Sequence, residues 1–188
     1  MAKLSNNLIM RNVRGIVGGQ VIFKRRAGRM YVSAPPEIDE NRVPTKNQQK
    51  AQGKFKRCTE YAKAAVKDPA TRSAYLAVAG AGQTAYNMGL KDAYNEPEVV
   101  SLITQGYHGE AGDVIVVLAK DDFRVKMVTI AIYDAVGELI EEGTAVANAD
   151  GLSWLYITTS ANVNITGSRI IATATDVPGN EGVMEARV

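Results

Sequence analysis

The apolar positions change period near Pro97. Before it, two short stretches, Gln20 to Phe23 and Met30 to Ser33, are β-branched, aromatic or alternating, and Arg26-Ala27-Gly28 between them supplies the glycine that a short reversal favours. They predict a β-hairpin, with Gly15, Gly18 and Gly19 marking a tight bend or bulge upstream and Leu8–Val13 as a third strand. Pro35, Pro36 and Pro44 give Ala34–Pro44 the extended character of a linker. Thr45 stands where an N-cap belongs. From there Ala51, Phe55, Cys58, Ala62 and Ala65 recur at spacings of four and three, a single apolar stripe on a helix. Asp68-Pro69 opens a second helix reaching about Val78, and Gln83–Tyr94 forms a third, broken or weakened near Gly89.

Beyond Pro97 the period shortens to two. Glu98–Ile103, Val114–Leu118, the alternating Val128, Ile130 and Ile132, Glu138–Val146, Leu152–Thr158, Ser168–Thr175 and Val183–Val188 read as strands. Turn signals fall between them at residues 134–137, 148–151 and 177–180. About seven short strands without helices predict an antiparallel sandwich. The expected fold class is therefore α+β in two parts: residues 1–97, a basic hairpin plus about three helices, and residues 98–188, a β-sandwich.

Two resemblances refine this reading. "AKDDFRVKMVTIAIYDAVGELIEEGTA" followed by "IIATATDVPGN" resembles bacterial immunoglobulin-like domains, in which an aspartate-containing turn precedes a valine-rich strand and a late strand ends in A-x-D-x-x-G-N. The resemblance covers residues 98–188 and implies an immunoglobulin-like sandwich with a structural, adhesive or assembly role. "RGIVGGQVIFKRRAGRMYVSAPP" with "PTKNQQKAQGKF" resembles uncharacterised bacterial and phage-associated proteins that join a glycine-rich basic hairpin to a T-x-x-Q helix, and it implies no activity.

Charge adds a division that the net value of +2 conceals. Residues 1–99 hold 17 Lys and Arg against 8 Asp and Glu; residues 100–188 hold 5 against 12. A basic part joined to an acidic one can meet a neighbouring copy head to tail, giving rings or filaments, or satisfy itself within one chain. The longest apolar runs, such as Val114–Ala119, fall far short of the roughly 20 residues of a membrane helix. The first residues contain only Leu8-Ile9-Met10 as an apolar run, so no secretory signal is expected, and the expected place is the cytoplasm or a virion-like particle. The single cysteine, Cys58, excludes an internal disulfide.

Candidate chemistry is sparse. His108, the only histidine, lies in the glycine-flanked "QGYHGEAGD", and one His with one Cys builds neither a catalytic triad nor a zinc site. "RGIVGG" lacks the helix and the Lys-Ser/Thr pair of a phosphate-binding loop, and "GAGQTAYNMG" reads as a helix junction. Asp121, Asp122, Asp134, Asp150 and Asp176 fall at strand ends; carboxylates there can bind calcium, but the spacing matches no EF-hand and the turn-forming role of aspartate accounts for them. Trp154 and Tyr156 share one face of a strand, as core fillers do. No catalytic residue, metal ligand, cofactor or small-molecule substrate is expected.

What stands out is the cationic hairpin: Lys24, Arg25, Arg26 and Arg29 within six positions. They are the expected contacts to an acidic surface, on a copy of this chain, another protein subunit or nucleic acid. Phosphate binding would rest on counterion release, but the stacking aromatics of single-strand binders are reduced to Phe23 and Tyr31 near the tip. The expected function is thus a non-enzymatic structural or interaction protein that assembles with itself or with a larger particle. A cytoplasmic nucleic-acid-binding protein is the alternative.

Overall fold

A computed structural model describes residues 2–4, 13–26, 28–37 and 41–188. The chain forms two compact units, Met1–Gln49 and Lys50–Val188. Sequence places the boundary near Pro97, where the hydrophobic period changes; in the structure the helical stretch packs with the sandwich instead. The charge division follows the units as well, with 9 Lys and Arg against 3 Asp and Glu in residues 1–49, and 13 against 17 in residues 50–188.

The first unit is a four-stranded antiparallel sheet. Its strands are β1 (Ala2–Leu4), β2 (Gly15–Val17), β3 (Val21–Arg26) and β4 (Arg29–Ser33), in the order β1-β4-β3-β2. Gly18 and Gly19, both at positive φ, close the reversal between β2 and β3, where the Gln20 amide donates to the Val17 carbonyl. Gly28, at φ 77°, closes the tip between β3 and β4. The hairpin is as expected and longer. Of the strand expected at Leu8–Val13, all but Val13 lies outside the described residues, and the strand that pairs with β3 is Gly15–Val17.

α1 (Lys46–Ala65) begins in the last residues of the first unit and continues into the second, and its first turn is held by a reciprocal cap: Thr45 Oγ1 accepts from the Gln48 amide, and Gln48 Oε1 from the Thr45 amide. Only the C-terminal half of the expected stripe is covered. Cys58 and Ala62 are buried, whereas Phe55 is 52 % exposed. In α2 (Pro69–Val78), Asp68 caps the Thr71 amide and Pro69 occupies the first turn; α3 (Ala85–Tyr94) is capped by Thr84. α3 runs unbroken through Gly89. That glycine is buried, and a Cβ there would stand 3.3 Å from the Tyr75 ring, so its missing side chain admits that ring.

Two four-stranded antiparallel sheets follow. One has the order β5-β6-β10-β9, from β5 (Glu98–Ile103), β6 (Val114–Lys120), β9 (Val146–Ala147) and β10 (Ser153–Ile157). The other has the order β12-β11-β7-β8, from β7 (Val125–Tyr133), β8 (Leu139–Thr144), β11 (Arg169–Asp176) and β12 (Glu181–Arg187). Alternate residues of both sheets meet in one core: Ile115, Val117, Trp154 and Tyr156 from the first, Val128, Ile130, Ile132, Ile170 and Ala172 from the second. Trp154 and Tyr156 therefore fill the core as their shared face predicts.

The strand expected at Glu138–Val146 is divided. Its first part pairs with β7, and after the buried Ala145, whose amide donates to Val128, the chain crosses to pair with β10 in the other sheet. Among the described residues, no helix is long and apolar enough to cross a membrane.

Candidate functional site

At the hairpin tip the register decides which cations act together. Lys24 pairs with Tyr31 and Arg26 with Arg29, whereas Arg25 pairs with Met30. Paired residues share a face and neighbours along a strand alternate, so Lys24, Tyr31 and Arg29 present one face, and Arg25 projects from the other beside the buried Met30. Lys24, Arg25 and Arg29 thus divide between two faces. Lys24, Arg25 and Arg29 are exposed and have no ion-pair partner among the described residues. The cationic α1 is less free, since Lys54 pairs with Glu96 at 3.0 Å and lies over the Tyr94 ring.

A second constellation lies inside the second unit. The wholly buried Tyr75 stacks against Phe123 with ring centroids 4.5 Å apart, meets the Tyr61 hydroxyl at 3.0 Å, and donates its own proton to Asp92 Oδ2 at 2.5 Å. Asp92, wholly buried on α3, faces Asp121 from the turn after β6 and Asp176 from the end of β11. One carboxylate oxygen from each lies within 4.8 Å of the others.

The partners of these carboxylates differ. Asp176 Oδ1 accepts the Gly179 and Asn180 amides, and its Oδ2 accepts the Asn180 side-chain amide. Asp121 Oδ2 accepts the amides of Phe123 and Arg124. The remaining oxygens, Asp92 Oδ1 and Asp121 Oδ1, are buried with no donor from outside the cluster, and the two carboxyls bond to each other only when a proton lies between them. Two unit charges 4.8 Å apart repel by ~3 kcal/mol at an effective dielectric constant of about 20. Burial above all, with the adjoining Asp121 and Asp176, pushes the Asp92 carboxyl up to about 7 against the pull of the Tyr75 hydroxyl; burial likewise raises Asp176.

Asn180 ties this cluster to the helices. Its side-chain amide reaches the carbonyls of Asp92, Ala93 and Asn95 at 3.2–3.4 Å, joining the turn before β12 to the end of α3. Tyr75→Phe removes one hydroxyl and leaves the ring contact with Phe123. It strips Asp92 Oδ2 of its donor, and the expected loss is ~1–3 kcal/mol by urea unfolding. Unchanged stability would contradict the bond.

The other residues singled out in sequence are dispersed. His108 is exposed in its loop, 3.8 Å from Asp113, while the buried Cys58 donates its thiol to the Ala93 carbonyl. Asp134 and Asp150 organise their own turns, accepting amides two to four residues ahead, and Asp122 pairs with Lys91 at 2.7 Å. Of the five strand-end aspartates, Asp121 and Asp176 come together. Asp92, Tyr75 and Asn180 escaped the sequence reading because their meeting depends on packing the helices against the strand ends; the single local sign was a carboxylate on an otherwise apolar face of α3.

No family model and no curated protein matches the chain. Among solved structures, CopC from Methylosinus trichosporium OB3b is similar over 48 % of this chain and 87 % of its own, at 16 % identity and a TM-score of 0.34. A tetra-tandem repeat in the extending region of a large adhesion protein is similar over 48 % of this chain and 22 % of its own, at 21 % identity and a TM-score of 0.33.

Proposed function

We propose that this chain is a non-enzymatic structural or interaction protein, built on an immunoglobulin-like sandwich, that assembles with copies of itself or with other subunits of a larger particle, in the cytoplasm or on a virion-like body. The observation that carries the reading is the hairpin tip, where Lys24, Arg25 and Arg29 stand exposed and unpaired among the described residues. Beyond the Arg25–Met30 pair the ribbon is two-stranded among those residues, since β2 reaches only Phe23 and β1 only Met30. From Lys24 outward β3 has an open edge among those residues, and cations on both faces of that edge, Lys24 and Arg29 on one and Arg25 on the other, suit insertion between acidic surfaces more than lying flat on one. The second unit carries the opposite excess, 17 acidic against 13 basic residues. Cys58 and His108, the residues best suited to nucleophilic or acid–base work, lie apart, one buried and bonded to a carbonyl, the other on an exposed loop.

Reversing the charge of Lys24, Arg25, Arg26 and Arg29 together should abolish the higher-order species in sedimentation velocity while the circular dichroism is retained. Assembly that persists in the quadruple variant would overturn the role of the tip. A gel shift at about 50 and 200 mM salt separates the nucleic-acid reading, because phosphate-driven binding weakens steeply over that range.

A further inference from the structure

We propose that Asp92, Asp121 and Asp176 form a binding site for a hard divalent cation of calcium's size. The site is assembled by three segments distant in sequence, α3, the turn after β6 and the end of β11, which bring one oxygen each to within 4.8 Å of the other two. Proximity of acids alone would be weak grounds. The decisive feature is that Asp92 is wholly buried and that its Oδ1, like the buried Asp121 Oδ1, has no hydrogen-bond donor outside the cluster, so that without a cation only a proton shared between these two carboxyls relieves them. Buried carboxylate oxygens are ordinarily satisfied, so two orphans converging on a third carboxylate call for a positive occupant.

The donor set defines the chemistry. All three groups offer oxygen, with neither sulfur nor imidazole among them, which selects a hard ion over zinc or copper. Calcium bonds to oxygens at ~2.3–2.6 Å in irregular geometry, so three oxygens separated by up to 4.8 Å can share one ion. Magnesium retains several of its waters and suits a wholly buried Asp92 and Asp176 less well. The other oxygens of Asp121 and Asp176 are already fixed by backbone amides, so the carboxylates are held in place before any ion arrives. An ion there would clip α3 to the strand ends beside the Asn180 contact.

The test uses the full chain, stripped with EDTA and exchanged into metal-free buffer. Terbium(III), a luminescent stand-in for calcium, should show emission sensitised by Tyr75 and Tyr61, and calcium should displace it. Calcium at about 100 times its dissociation constant should raise the melting temperature by ~5–10 °C, and magnesium by much less. Asp121→Asn keeps an acceptor for the Phe123 and Arg124 amides and should lose both the emission and the calcium shift, whereas Asp134→Asn, in a separate turn, should keep both. A wild-type chain that neither sensitises terbium nor responds to calcium would overturn the proposal, leaving a proton as what the carboxyls share. A response surviving in Asp121→Asn would place the ion elsewhere, and an equal shift from magnesium would refute the calcium assignment.

Discussion

Alanine at position 182 should lower the stability of the second unit by ~3 kcal/mol, at the upper end of what an overpacked site costs. A Cβ on Gly182 would lie 1.9 Å from the Pro97 carbonyl oxygen and 2.8 Å from its carbon. Both are backbone atoms, so no rotamer change relieves the clash. Either β12 retreats or the entry to β5 does, and Gly182 is registered opposite the buried Ala174 on β11. A melting temperature lower by ~6–12 °C is expected in calorimetry. Gly179→Ala is the comparison: its φ of 95° strains a side chain, yet nothing stands within 4 Å, and a smaller loss is expected. Equal effects from the two would contradict the close approach of Pro97.

The second large effect is a pH dependence of the metal-free chain. In the native state the Asp92 carboxyl is held at about 7 instead of 3.8, so between those values the folded chain keeps a proton that the unfolded chain has released. Stability is then full below about pH 4 and falls as pH rises through 7, by up to ~4 kcal/mol from this group. Asp176, raised by its own burial, adds in the same direction. The charges facing Asp92 are Asp121 and Asp176; the Tyr75 and Tyr61 hydroxyls stay neutral across the window, with burial raising both. Urea unfolding in EDTA should give a lower midpoint at pH 8 than at pH 5, and Asp92→Asn should flatten the difference. A midpoint that rises with pH would contradict the assignment.

The sequence was most informative where local chemistry decides. Thr45, Asp68 and the alternation of Val128, Ile130 and Ile132 predict their elements because capping and pleating depend on neighbours a few residues away. The hairpin was legible for the same reason, but its charge geometry was not: adjacency suggests one patch, whereas pairing sends Arg25 to the opposite face from Lys24 and Arg29. The apolar stripe of α1 was misleading over its first half, since periodicity marks a face that can be buried and only packing selects how much of it is, as the exposed Phe55 shows. Asp92 was illegible because its meaning comes from Asp121 and Asp176, brought to it by tertiary folding.

The reach of Asn180 to the carbonyls of Asp92, Ala93 and Asn95 at the end of α3 has a practical corollary for anyone cutting the gene into expressible pieces. Truncation at residue 98, the obvious place from hydropathy, would pull away every acceptor that this amide holds outside its own turn. It would also bare the Asp176 carboxylate to water. A fragment meant to stand alone must begin upstream of α1.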